Sequence, residues 1–438
     1  MPSPNGMYQA VPSRTMSIRF LPPITLLLCL ALLLPAPGGA WEIRLTDSGA
    51  AQQNPAISGS TVVWEDDRNG NWDIYLWDGM TGETRRLTDD TYDQRYPQIA
   101  GRLVVWEDLR NSEVQMENPD IYLYDLITGA EMMVNSPDSL WGGYERRPAI
   151  STDSGKPVVV WYDSANGLSE CGRVFFRYID GVSGPRQVYQ DSNTQTSPWV
   201  SGEQVAWTDQ DLGGIYFRYL REDPTIVLER MSNETITGIR SSGNRIVWSQ
   251  FSQDSMEFNI RLCELDPTMT PRVLRWLSPF DSFQSDPSID GDLVVWRDER
   301  PAAGGGGGDL YRYDFRTGET APLVVAYGLQ YQPALDGGLV AFTDTRWGNP
   351  EIYLVPVDDG VPLPGVVEVP GGTGVPTDPD GEGRCPDVNG NGRRDFADIV
   401  LYFNQMGWIT ANEPVFLFDF NGNGRIDFAD VVALFNGL

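Results

Sequence analysis

Two stretches near the C-terminus concentrate hard oxygen donors at a fixed spacing. Asp387-Val388-Asn389-Gly390-Asn391-Gly392-Arg393-Arg394-Asp395-Phe396-Ala397-Asp398 recurs 32 residues later as Asp419-Phe420-Asn421-Gly422-Asn423-Gly424-Arg425-Ile426-Asp427-Phe428-Ala429-Asp430. Asp or Asn falls at loop positions 1, 3, 5, 9 and 12 of both, and Gly at position 6 permits a sharp turn. A Ca²⁺ ion takes six to eight oxygens from this kind of spacing, with a backbone carbonyl from position 7. Two ions are therefore expected. One would be held by Asp387, Asn389, Asn391, Asp395 and Asp398 with the Arg393 carbonyl. The other would be held by Asp419, Asn421, Asn423, Asp427 and Asp430 with the Arg425 carbonyl. Position 8 is Arg394 in the first loop and Ile426 in the second.

Other chemistry is narrowed by what the chain lacks. Its 438 residues contain no histidine, which removes Ser-His and Cys-His nucleophile pairs, histidine general bases and histidine-ligated zinc or manganese. Carboxylate chemistry or none remains. Acids outnumber bases 61 to 32, and the net charge of −29 would repel nucleic acid or an anionic membrane while attracting divalent cations. Outside the first 40 residues there are three cysteines, Cys171, Cys263 and Cys385, too few and too irregular for a disulfide framework. Cys171 and Cys263 fall in repeats that do not neighbour each other, so no bridge is expected between them.

The elements that position the oxygen loops are helices, one after each loop. Ile399–Met406 and Val431–Asn436 have helical composition, whereas Pro, Gly and acidic residues before Asp387 exclude an entering helix. Position 12 is Asp where ordinary EF-hands have Glu. This duplicated loop-helix unit, spanning 385–438 after a Pro/Gly-rich stretch, resembles the type I dockerin family. The resemblance implies docking onto a cohesin-like scaffold protein. By alignment with that family, the partner-reading residues would be Phe396, Ala397, Phe403 and Asn404 in the first half and Phe428, Ala429, Phe435 and Asn436 in the second. Common cellulosomal dockerins carry hydroxyl residues where Phe396-Ala397 and Phe428-Ala429 stand, which implies a partner of different specificity. Phe396 and Phe403 share a helix face, as do Phe428 and Phe435. These four either form a docking patch or pack between the helices.

Most of the chain is a different repeat. Residues 55–88, PAISGSTVVWEDDRNGNWDIYLWDGMTGETRRLT, read as four short strands separated by turn residues. The unit recurs with a Trp or Phe anchor at 64, 106, 161, 207, 248, 296 and 342, in steps of 42, 55, 46, 41, 48 and 46 residues. That period suits a propeller blade, and seven copies fit a closed ring. The fold expected is an all-β seven-bladed propeller of four-stranded antiparallel blades over 41–359, followed by a 360–384 linker and a small α-helical calcium-binding module. The seventh copy lacks an outer strand, and Glu42-Ile43-Arg44-Leu45-Thr46-Asp47 matches Thr84-Arg85-Arg86-Leu87-Thr88-Asp89. Residues 42–47 are expected to close the last blade and hide two sheet edges; Val366–Val369 is the alternative. The repeats resemble the TolB-like propeller family, a likeness that implies architecture and leaves function open.

Several residues invite a functional reading. Asp66/Arg68, Asp108/Arg110, Asp298/Arg300 and Asp344/Arg346 recur in four blades, which suits a hairpin lock, since a catalytic pair is needed once. Blade connections add Tyr92, Arg95, Tyr96, Trp141, Tyr144, Arg146, Arg147, Phe280, Phe283, Tyr327 and Tyr331 to one face. They either grip a sugar or an acidic peptide at the channel mouth or cover the blade tops. Arg14 and Arg19 before the apolar run Ile24–Leu34 and the small residues to Ala40 predict a signal peptide over 1–40, with an uncleaved anchor as the alternative. Asn233-Glu234-Thr235 is a glycosylation sequon. The expectation is a secreted or cell-surface protein whose propeller binds an extracellular peptide or glycan and whose tail docks onto a cohesin. It has no nucleic-acid partner and no membrane span in the mature chain. The alternative is a polysaccharide lyase or glycosidase recruited through the tail, recognisable by a carboxylate pair that occurs once and faces the channel at glycosidase separation.

Overall fold

The structure, a computed structural model, describes residues 42–112, 118–135, 143–165, 172–190, 193–221, 226–229, 235–252, 256–265, 271–277, 282–300, 307–358, 361, 363–379 and 384–437. The leader, Trp141, Cys171, Phe280 and the sequon residues Asn233 and Glu234 lie outside the described residues. Among those described, no helix is long and apolar enough to cross a membrane.

Alternating apolar and polar residues with β-branched enrichment make strands, and there are seven four-stranded antiparallel sheets. Blade 1 runs through Gln52–Ser58, Thr61–Asp66, Asp73–Asp78 and Glu83–Arg86. Each innermost strand abuts those of the two neighbouring blades, and that of blade 7, Gln330–Asp336, abuts blade 1. The ring is closed.

Its last blade is completed by the other end of the chain. Ile43 and Arg44 pair with Leu354 and Tyr353 of Glu351–Pro356. The sequence match to the end of blade 1 extends to individual atoms. Leu45 N donates to Ile352 O at 2.8 Å and the Thr46 hydroxyl accepts from Ile352 N at 2.9 Å. Leu87 and Thr88 do the same with Ile74, at 2.7 and 2.8 Å. Arg44 pairs with Glu351 at 2.5 Å as Arg86 pairs with Asp73 at 2.8 Å. Residues 42–47 are thus the latch, and the Val366–Val369 alternative is excluded for that place.

The anchors Trp64, Trp106, Trp161, Trp207, Trp248, Trp296 and Phe342 are all buried. In six blades the anchor lies against an aromatic ring of the third strand, with centroids 5.8–6.5 Å apart. Truncating one such tryptophan costs about 3–5 kcal/mol. The repeated acid-arginine pairs form locks. Asp66 accepts the Trp64 indole N–H at 3.1 Å and Arg68 Nη2 at 2.5 Å, and Arg68 lies 4.4 Å over the Tyr75 ring. The same four-part contact occurs around Asp108 and Asp298. In blade 7 Asp344 holds Arg346 over Tyr353 in the same way.

Every innermost strand bulges at one position, because its register with the second strand shifts there. The bulged residues Asn54, Tyr96, Arg147, Ser197, Asp286 and Gln332 all have φ between 52° and 54°. Each precedes a proline. Blade 5 has no proline and places Gly238, φ 63°, at the site. A left-handed non-glycine residue costs of order 1 kcal/mol or more, and its recurrence in six blades makes it part of the ring's construction.

The C-terminal module contains helices α1 (Phe396–Asn412), α2 (Val415–Phe418) and α3 (Phe428–Asn436). Tyr402, Ile409, Leu417, Phe418, Val431 and Leu434 form its buried centre, and the Tyr402 hydroxyl donates to Phe418 O at 2.7 Å. The module packs on blade 1, where Phe416 meets the Trp77 ring edge-on at 5.9 Å. Gly82 leaves room for that ring: a Cβ there would lie 2.2 Å from it. The Pro/Gly-rich stretch has no helix or strand among its described residues, yet Leu363, Val366 and Val369 are buried in the same cluster.

Candidate functional site

In both oxygen loops the short side chains fold the backbone around themselves. Asp387 accepts Asn391 N at 3.0 Å and Gly392 N at 2.8 Å, and Asn391 Oδ1 accepts Arg393 N at 2.8 Å. In the second loop Asp419 accepts Asn423 N at 3.0 Å and Gly424 N at 2.6 Å, and Asn423 Oδ1 accepts Arg425 N at 2.9 Å. Positions 9 and 12 cap the helices: Asp395 with Asp398 and Asp427 with Asp430 each form a capping box. Position 12 also reaches back across the loop, Asp398 accepting Asn389 N and Asp430 accepting Asn421 N, both at 3.0 Å. Asp at position 12 therefore serves two ends at once. It closes the loop and starts the helix.

Charge is crowded in both turns. Burial raises the Asp398 carboxyl above its ordinary value, with Asp387 and Asp395 adding to the rise, and Asp430 is raised by burial and by Asp419. Asp419 goes the other way, since the N–H groups of Gly424, Asn423 and Gly422 outweigh its burial. Among the described residues no three His, Cys, Asp or Glu side chains converge as a metal group. Only three of the six expected ligands in each loop are carboxylates, the rest being amide and backbone oxygens. The first loop is also strapped: Thr377 Oγ1 donates to Asp387 at 2.5 Å and Thr373 N to Asn389 O at 2.7 Å.

The residues aligned to a partner surface lie outside the module's core. Phe396, Phe403, Phe428 and Phe435 are 61%, 54%, 57% and 55% exposed, and Ala397, Asn404, Ala429 and Asn436 are exposed too. Of the two placements open from the sequence, outward is the one observed. Phe403 and Phe428 meet edge-on at 6.0 Å, so the halves form one patch. Val400 and Val432, at matching positions, extend it.

A second candidate was hidden by the repeat. The channel through the ring encloses about 710 Å³, lined by the innermost strands. Tyr96 and Arg147 of the connection residues reach it, with Arg147 stacked 4.1 Å over the Tyr96 ring. Arg95 is instead tied to Asp93 at 2.8 Å and lies over Trp72. Tyr92 and Tyr327 are exposed outside the channel lining. Glu65 and Glu107 accept the bulge N–H groups of Tyr96 and Arg147 at 2.6 and 2.7 Å. Burial raises both, Glu107 to about 7.

The first residue of the innermost strand in blades 1, 2, 4, 6 and 7 is a buried glutamine facing an Asp (Gln52, Gln94, Gln195, Gln284, Gln330). Blade 3 has Glu145 opposite Asp163. Burial, then the charges of Asp163 and Asp120, push Glu145 up to about 8, and burial raises Asp163 as well. Among the described residues, blade 3 is the one blade with a carboxylate pair at this position of the innermost strand. Aligning the glutamines of the repeats would have revealed it from sequence.

No family model matches the sequence, and no curated protein does. Solved structures match over the ring. An oligogalacturonate lyase in complex with manganese aligns at 16% identity and TM-score 0.56, over 73% of this chain and 94% of its own. The β-propeller domain of the trilobed protease from Pyrococcus furiosus, described as having an open velcro topology, aligns at 11% identity and TM-score 0.51, over 70% and 93%. TolB from Acinetobacter baumannii aligns at 16% identity and TM-score 0.43, over 68% and 67%, too distantly to add weight. At these identities the likeness establishes a shared seven-bladed fold and nothing finer. Unlike the protease domain's described topology, the ring here is closed by its latch.

Proposed function

We propose that this is a secreted or cell-surface calcium-binding protein. Its propeller binds an extracellular peptide or glycan, and its C-terminal module holds two Ca²⁺ ions and docks onto a cohesin-like scaffold protein. The observation that carries this reading is the duplication itself. Two loops share one hydrogen-bond pattern around Asp387 and Asp419, and the helices they start turn four matched phenylalanines to solvent. An apolar patch of that kind on an acidic, soluble surface favours a protein partner. The ions would be held by the residues named above, with the Arg393 and Arg425 carbonyls, and their charge would offset the clustered carboxylates.

Calorimetric titration of the full chain should give two calcium sites, and Asp387→Ala with Asp419→Ala should remove both. Cohesin modules immobilised as a panel should then capture the protein only with calcium, and Phe403→Ser with Phe435→Ser should abolish capture. A flat calcium isotherm would refute the reading.

A second reading is a polysaccharide lyase or glycosidase, for which Glu145 as proton donor and Asp163 as base are the candidate pair, although neither is among the residues that line the channel. Oligogalacturonate is the substrate to try first, given the lyase match. A histidine-ligated manganese site is excluded by composition. Product release lost in Glu145→Gln would favour this reading over simple binding.

A further inference from the structure

The channel wall departs from its own repeat at two adjacent places. Two residues beyond each bulge, the innermost strand carries Ala56, Ala149, Ser288 and Ala334 in four blades and Gln98 in another. In blades 4 and 5 that position holds Trp199 and Arg240. Four blades have a small residue there; Trp199 packs against the cores on both sides of its blade, and Arg240 is the one charged departure.

Arg240 lies flat on its neighbour, 4.1 Å over the Trp199 ring. Its Nη1 donates to Ile239 O at 2.8 Å; Asp286 is the nearby acid, and among the described residues no carboxylate forms an ion pair with it. The lock arginines Arg68, Arg110, Arg300 and Arg346 all have an Asp within 2.6 Å. Arg147, across the same cavity, makes no side-chain ion pair among the described residues, although Glu107 holds its backbone N–H, and it is stacked on Tyr96. Enclosure by the channel wall lowers Arg240 to about 10; Asp286 opposes that fall and Arg147 adds to it. Two cations, Arg147 exposed and Arg240 half-buried, therefore face one cavity in which Asp286 is the nearby acid, and among the described residues neither has a carboxylate at contact.

The far end of the channel has the opposite sign. Asp290 and Asp336 accept the N–H groups of Gly337 and Gly59 at 2.9 and 2.5 Å, and Asp153 accepts the Ser151 hydroxyl at 3.0 Å. An anion would be turned away there and drawn toward the arginines. A planar guanidinium held flat on an aromatic ring presents its remaining N–H groups edge-on, the geometry that a carboxylate matches with two parallel hydrogen bonds.

We infer that the central channel binds a ligand through a carboxylate group, received by Arg240 with Arg147 between the Trp199 and Tyr96 rings. This rests on the reading of the propeller as a ligand-binding ring, and it names the chemistry that the ring selects. About 710 Å³ admits one small acid or the end of a longer chain.

The test uses the full chain at low ionic strength with glucuronate, N-acetylglycine and methylphosphonate, followed by tryptophan fluorescence and calorimetry. Saturable binding of at least one carboxylate is expected, weakened tenfold or more in Arg240→Gln and in Arg147→Gln and reduced by salt. Which carboxylate binds tells whether the source is a sugar acid or a peptide terminus. Absence of binding by both, binding untouched by Arg240→Gln, or tighter binding of methylphosphonate would overturn the inference. Should Arg240→Gln not fold, Arg147→Gln and Trp199→Phe give the same decision. A normal two-site calcium isotherm on the same sample, with no carboxylate binding, would sink this inference alone.

Discussion

The propeller and the C-terminal module are both products of duplication, and they use it in opposite ways. In the propeller, likeness between copies builds the ring: buried anchors, Asp–Arg locks and left-handed bulges recur because each blade meets the same neighbours. What occurs once, such as Glu145 or the Trp199–Arg240 pair, is where function can sit. In the module the likeness is what the calcium proposal rests on, since each copy repeats one hydrogen-bond pattern around its first Asp. Recurrence argues against a site in one region and for a site in the other. The difference lies in what the repeated residues leave unsatisfied. The locks satisfy each other, whereas the loop acids crowd like charges.

Removing calcium should separate the two regions most strongly. If the loops bind at 100 times their dissociation constants, each ion contributes about 2.7 kcal/mol. Excess chelator should therefore lower a melting transition carrying the helical signal and leave the β-sheet transition in place. A single transition shifting as one would show that docking on Trp77 couples the two.

Deleting residues 42–47 comes next. It removes the outer strand of blade 7 and leaves Glu351 and Arg346 without Arg44 and Glu42. A loss on the order of 2–4 kcal/mol is expected from the β-sheet transition alone, with association through the exposed edge. An unaltered melt would refute the latch as a stabiliser.

The smallest effect is specific to pH. Glu145 has a folded value near 8 against an ordinary 4.5, so the native state binds the extra proton and stability falls as pH rises through that window. Glu107 contributes the same sign up to about 7. Glu145→Gln should leave stability unchanged at pH 5 and raise it at pH 8.5 by on the order of 1–3 kcal/mol, flattening the profile. An identical slope in both proteins would remove Glu145 as the cause.

Much of this was legible in the chain. The anchor spacing specified seven blades, the match of Glu42–Asp47 to Thr84–Asp89 specified the latch, and the Asp and Asn spacing marked both loops, because each rests on local patterns. The outward face of Phe396, Phe403, Phe428 and Phe435 was not legible, because period alone puts residues on one face without saying what covers it. Arg240 was illegible for a related reason. In sequence it is one of 32 basic residues, with no acid-arginine motif to flag it.

The order of residues by itself therefore determined the units, their number and the spacing of the oxygen-bearing residues, all of which depend on position along the backbone. Only the tertiary structure decided which side chains face inward across the ring. Trp199 and Arg240 are 41 residues apart in the chain and become neighbours when adjacent blades close around one axis. Enclosure and contact between distant strands set their charge environment, and neither is a property of a local stretch.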